Sequence, residues 1–95
     1  LAILERWPGN LTAQIGAGNT FYKMKRLGEA EKVFRQAVQD HPDSVAALNN
    51  LAQTLADQQH YEEALTIARR AVALGGPLAD VAKETLKAIE GKVSQ

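Results

Sequence analysis

The feature that most constrains this chain is a repeat: Leu27, Glu29, Ala30, Ala37 and Pro42 are echoed 34 residues later by Tyr61, Glu63, Ala64, Ala71 and, one place late, Pro77. A period of that length, built from two helical stretches, describes units that cannot bury an apolar face alone and do so by stacking on neighbours. The 95-residue length allows one small domain, and a chain of that size buries roughly 60–65% of its unfolded surface. Hydrophobic residues make up 45% and aromatics 5%. Many alanines with few β-branched and aromatic residues favour closely packed helices over a β-sandwich, so the expected class is all-α.

Helical periodicity falls into blocks of about 14 residues. Asn10 is placed to cap a first helix from about Leu11 to Met24, because its side chain can accept from an unpaired amide of the opening turn. A second runs from about Leu27 to Asp40, where His41-Pro42 stops it. Asp43 or Ser44 caps a third, from about Val45 to Gln58, and a fourth spans about Tyr61 to Leu74 before Gly75-Gly76-Pro77. A fifth, from about Leu78 to Ile89, carries Val81, Ala82, Leu86 and Ile89 on one side and reads as a terminal helix covering the last repeat. Residues 1–8 read as the last turns of a preceding helix stopped by Pro8, with Trp7 packed beside it, and the start at Leu1 points to a segment of a longer protein.

Residues 11–44 and 45–78 lie on one pattern without a gap. In the first, Gly18 takes the small position, Phe21 the large one before the turn, Leu27 the apolar anchor of the turn, and Ala30, Phe34 and Ala37 the stripe of the second helix, closed by Pro42. In the second, the same offsets give Leu48, Leu51, Ala52, Leu55, Tyr61, Ala64 and Ala71. This combination resembles the tetratricopeptide repeat family. The resemblance implies a right-handed helix-turn-helix solenoid forming a single domain over 1–95: the end of a preceding helix at 1–8, repeats at 11–44 and 45–78, and a capping helix at 78–91. Three positions depart from the pattern: Gln14 stands where the family has a large apolar residue, Ala68 where it has an aromatic or Leu, and Gly76 where it has the closing proline.

In that family the first helices of the repeats line a groove for a peptide. Carried over, the floor comprises Thr12, Ile15, Gly16, Asn19, Tyr22 and Lys23, then Ala46, Asn49, Asn50, Gln53 and Asp57, extended by Asp80, Lys83, Glu84 and Lys87. The residues expected to bind peptide are Ile15, Asn19, Tyr22, Asn49, Asn50, Gln53 and Lys83, with Asn50 foremost. An asparagine amide can donate to a peptide carbonyl and accept from a peptide N–H at once. The competing reading is that Asn19, Asn49 and Asn50 are solvated polar residues on an exposed face. Asn19 and Asn50 also coincide with the two asparagines by which some family members grip an acidic C-terminus. The basic positions of that clamp fall at Ile15, Asp80 and Glu84, so an acidic terminus meets repulsion there.

Other chemistry is sparse. Eleven basic residues balance eleven acidic ones, so no overall field recruits nucleic acid or an anionic membrane. The absence of cysteine excludes disulfides and thiolate chemistry within these residues and leaves the compartment open. No apolar run approaches the roughly 20 residues of a membrane-spanning helix. Gly16-Ala17-Gly18 follows no strand and reads as helix packing rather than a phosphate loop. His41 and His60 read as surface residues without metal-ligand spacing, and Lys23-Met24-Lys25-Arg26 as a solvated helix end. No catalytic site, metal or cofactor is expected; the partner is a protein or peptide.

A finer resemblance rests on Glu5-Arg6-Trp7-Pro8-Gly9-Asn10, Gly18-Asn19, Asn49-Asn50-Leu51-Ala52 and Ala68-Arg69-Arg70-Ala71-Val72-Ala73-Leu74-Gly75-Gly76-Pro77. Together these look like the C-terminal repeat segment of bacterial proteins carrying a papain-like peptidase domain of the C39 type. That likeness implies a non-catalytic appendage. A third expectation is a structural or self-associating element, because an uncovered apolar face on the first helix pair invites homodimerisation.

Overall fold

A computed structural model describes residues 9–94. Five helices follow one another: α1 (Leu11–Lys23), α2 (Leu27–Asp40), α3 (Val45–Asp57), α4 (Tyr61–Leu74) and α5 (Ala79–Val93). No strand occurs among the described residues. The expectations for Trp7 and for a preceding helix at 1–8 lie outside them. Each helix packs on the next, and α1, α3 and α5 also touch one another in sequence. The result is a slab of 41 × 28 × 17 Å, with α1, α3 and α5 in one row and α2 and α4 behind.

The ends of the helices follow local chemistry. Asn10 Oδ1 accepts from the Ala13 amide at 2.9 Å, and Ser44 Oγ, rather than Asp43, accepts from Ala47 at 3.1 Å. The turns after α1 and α3 are the same motif 34 residues apart. Lys25 donates its amide to the Tyr22 carbonyl and Arg26 to that of Phe21; Gln59 and His60 repeat this with Ala56 and Leu55. Both turns place a residue in the left-handed region, Lys25 at φ 63° and Gln59 at φ 66°, as this type of helix stop requires. Gly75 and Gly76, at φ 69° and 78°, release the chain from α4 into α5. The terminal helix runs on to Val93 instead of stopping near Ile89, because an isolated glycine such as Gly91 weakens a helix without ending it.

Packing depends on small residues that admit large ones. Ala30, Ala52 and Ala64 are fully buried, which lets helix axes come close. Phe34 is 1% exposed, and its ring lies against Gly18 so tightly that a Cβ there would fall well inside van der Waals distance of ring carbons. The second repeat solves the same contact differently, with Ala52 at the offset of Gly18 and Ala68 at that of Phe34. Ile89 of α5 joins Ala52 and Ala68 in the core cluster there. The departure at Gln14 has a physical reason too: it is 1% exposed, and its Nε2 donates to Asp40 Oδ2 at 2.8 Å, tying the start of α1 to the end of α2. His41, expected at the surface, is half-buried in the turn after α2, and its Nε2 lies 2.8 Å from the Gly9 carbonyl. A carbonyl only accepts, so Nε2 carries the proton.

On the back of the slab, Arg35 spans the repeats. Its guanidinium bonds Glu63 through Nη1 and Nη2 at 2.8 and 2.9 Å, and Glu31 through Nε at 2.7 Å. The Arg35 bonds hold the Glu63 carboxyl below the ordinary range. For Glu31, burial pushes upward, but bonds from Arg35 and Gln58 outweigh it and the net direction is down.

Three outcomes follow from this packing. Gly18→Ala gains helix propensity but meets the Phe34 ring, so a net loss of about 1–2 kcal/mol is expected in urea unfolding. Phe34→Leu in the same chain should make the double variant less damaged than the sum of the single ones. Lys25→Gly and Gln59→Gly each remove a left-handed side-chain penalty of about 1 kcal/mol, raising the thermal midpoint by roughly 4–8 °C. Because Glu31 and Glu63 release their protons more readily folded than unfolded, the Arg35 cluster stabilises above the ordinary carboxylate pKa, and that contribution disappears as pH falls through the lower folded values. Arg35 and Glu63 are 42% and 46% exposed, so the contribution is at most about 1 kcal/mol. Arg35→Met should therefore narrow the difference in melting temperature between pH 7 and pH 3.

Candidate peptide-binding face

The row of α1, α3 and α5 carries a ladder of polar side chains that join one helix to the next. Asn50 Nδ2 donates to Asn19 Oδ1 at 3.3 Å, linking α3 to α1. About one turn further along α1 and two along α3, Tyr22 Oη donates to Asp57 Oδ2. On the other side, Gln53 Nε2 of α3 donates to Thr85 Oγ1 of α5 at 3.4 Å. The asparagine and glutamine bonds are long, and so near the weak end of the range. Among the described bonds, Asn19 Nδ2 and Asn50 Oδ1 make no other contact, which leaves a donor and an acceptor on one face.

Tyr22 combines two tasks. Its ring packs on the core cluster while its hydroxyl reaches Asp57. Burial, reinforced by the hydrogen bond to the Asp57 carboxylate and by its charge, pushes the phenol up to about 12. Below that value the hydroxyl remains a donor, and the Asp57 carboxylate keeps its partner.

The expected site residues divide into three groups. Asn19, Asn50, Gln53 and Tyr22 come together in the ladder. Ile15 is half-buried and packs against the core cluster, so it forms a wall more than an exposed contact. Asn49 and Lys83 fall elsewhere. Asn49 is only 6% exposed and its Oδ1 finds no partner among the described residues, so it does not offer its amide to the surface. Lys83 is exposed on α5, but at roughly 100° per residue it lies about opposite Thr85 and Lys92 around that helix. The α5 residues beside Tyr22 and Gln53 are Thr85, Ala88, Ile89 and Lys92.

Residue-by-residue reading overlooked Lys92 and Ala88, because the angular position of a terminal helix is set by how it docks. A signal existed: Ala82, Thr85 and Ile89 are the buried positions of α5, and Ala88 and Lys92 flank that stripe at helical spacing. Two hollows meet at this end of the row, of about 420 and 190 Å³, sharing Tyr22, Ala56, Asp57 and Lys92.

Among the described residues, no three His, Asp or Glu gather as a metal-binding group, and no helix is long and apolar enough to cross a membrane. No curated protein matches the chain. A family model does: the tetratricopeptide repeat matches residues 15–79, more than half of the sequence. That match, which covers most of α1, all of α2, α3 and α4 and the contacts of Gly18, Phe34, Ala52 and Ala68, shows that the chain belongs to the tetratricopeptide repeat family, whose members generally mediate protein–protein interaction and are typically non-catalytic.

Proposed function

We propose that this chain is a protein-interaction scaffold whose α1–α3–α5 face binds a peptide or a partner's extended segment, read chiefly by Asn50 and Asn19. The observation that carries the reading is the pairing of these two amides across adjacent helices at 3.3 Å. An extended peptide presents alternating N–H and C=O groups, and the remaining Asn19 donor and Asn50 acceptor match them. Because these two groups are not used in the Asn50–Asn19 bond, that bond can persist and no polar group loses its partner when the ligand binds. Gln53 and Tyr22 continue the polar row toward the hollows, and Ile15 flanks it. Asn49 and Lys83 belong to the set expected from the sequence; in this arrangement one is buried and the other lies around the far side of α5.

Two further readings keep specific support. The runs Glu5–Asn10 and Ala68–Pro77 favour a non-catalytic appendage of a C39-type peptidase, in which case the same face recruits substrate or partner for chemistry performed elsewhere. Exposed apolar side chains such as Met24, Leu74 and Val81 favour a self-associating element. Sedimentation velocity across a concentration series separates self-association from binding to another protein.

For the leading reading, selection from a displayed random-peptide library should enrich a motif on the unaltered chain. Asn50→Ala should abolish that enrichment while leaving the helical circular dichroism intact. Removing the Asn50 acceptor and the bond that orients Asn19 predicts a loss of about 1–3 kcal/mol in peptide binding. Enrichment that survives Asn50→Ala would remove the groove reading.

A further inference from the structure

Lys25 and Gln59 occupy left-handed backbone positions that glycine fills more easily, and both line the larger hollow at the end of the helix row. Side chains retained at strained backbone positions around one cavity point to use of that cavity. Lys92 lines the same hollow from α5. Among the described residues neither Lys25 nor Lys92 forms an ion pair, while the one carboxylate present, Asp57, already accepts from Tyr22 Oη. A cationic guest would face two ammonium groups with only an engaged carboxylate to attract it. An anionic guest meets two unneutralised ones. The adjoining smaller hollow, of about 190 Å³, has Ala56, Ala88 and Ile89 in its wall. It therefore accepts a compact apolar group beside the charge.

From these observations we infer that Lys25 and Lys92 form an acidic-residue subsite, which takes an Asp or Glu side chain of a partner peptide while the neighbouring small apolar residue enters the slot at Ala56, Ala88 and Ile89. The inference rests on the groove reading and names the ligand class for it. The basic run at the end of α1 then has a function beyond solvation. Acidic residues at Asp80 and Glu84 do not oppose this, because the α5 residues facing the hollow are Thr85, Ala88, Ile89 and Lys92. The backbone anchors the subsite: the Lys25 amide donates to the Tyr22 carbonyl at 3.0 Å, so the lysine stem starts from a fixed turn.

The test is a random-peptide selection on the full 95-residue chain, on the Lys25→Gln/Lys92→Gln variant and on Asn50→Ala. It is followed by titration of the most enriched peptide, synthesised with an amidated C-terminus so that only side-chain carboxylates count. Expected are peptides with Asp or Glu next to a small apolar residue, and affinity that falls as salt rises. The double lysine variant should weaken binding roughly tenfold, as two exposed ion pairs allow. Replacing the peptide's Glu by Gln should cost about the same, with little further loss when both changes are combined. Enriched peptides that need Asn50 yet carry no acidic residue, carry basic ones, or bind the lysine variant equally well would overturn the acidic subsite and leave the groove standing. If nothing enriches, or enrichment ignores Asn50, the groove reading falls and the subsite falls with it.

Discussion

Every helix here is held by one kind of contact, in which a position with little or no side chain on one helix receives a larger group from the next. Gly18 against Phe34 is the tightest example, and the fully buried Ala30, Ala52 and Ala64 extend it through the slab. Close-packed interiors have no slack at such points, so volume lost on one side must appear on the other. The change from Gly18 with Phe34 to Ala52 with Ala68 shows this: the second repeat gives up its aromatic, and Ile89 of the terminal helix joins the cluster there. The fifth helix is thus part of the core rather than an ornament on it. Its position in turn fixes which of its residues reach the face opposite α4.

That packing constraint also produces the face proposed to bind peptide. Helices brought close by small residues place their polar side chains within reach of the neighbouring helix, and Asn50 with Asn19, Tyr22 with Asp57, and Gln53 with Thr85 are the result. The ladder orders side chains that would otherwise sample many rotamers, which lowers the entropy lost when a ligand binds. The Tyr22 phenol, held neutral by burial and by Asp57, gives one rung a fixed donor. On the back, Arg35 with Glu31 and Glu63 ties the two repeats together, away from the polar ladder. Cross-linking of the repeats and the proposed recognition would therefore use different sides of a slab only 17 Å thick.

Much of this was legible before any coordinates. The capping role of Asn10 follows from residue type and position, which for α3 leave Asp43 and Ser44 open, and the spans Leu27–Asp40 and Tyr61–Leu74 follow from apolar periodicity bounded by turn residues. The nearness of Asn19 and Asn50 was readable too, because equivalent helices of stacked repeats lie side by side. Other features were not legible. Asn49 borders the apolar stripe of α3 and is 6% exposed, whereas Asn50 lies across the helix from Leu48 and Ala52 and stays on the face; how far burial reaches around α3 is set by the helices packed on it. Gln14 looked like a flaw in the pattern until Asp40, 26 residues away, proved to accept from its amide.

The sequence by itself therefore determined the order of the five described helices and the spans of the middle ones, though not the end of the last, because those depend on short-range propensity and on a period that only stacking can satisfy. The tertiary structure alone decided which side of α5 faces Tyr22 and Gln53, how far burial reaches among the polar residues, and that Lys25, Lys92 and Tyr22 share one hollow. A helix's rotation about its axis is set by the volumes it packs against. Those volumes come from residues distant in the chain, so no local pattern encodes them.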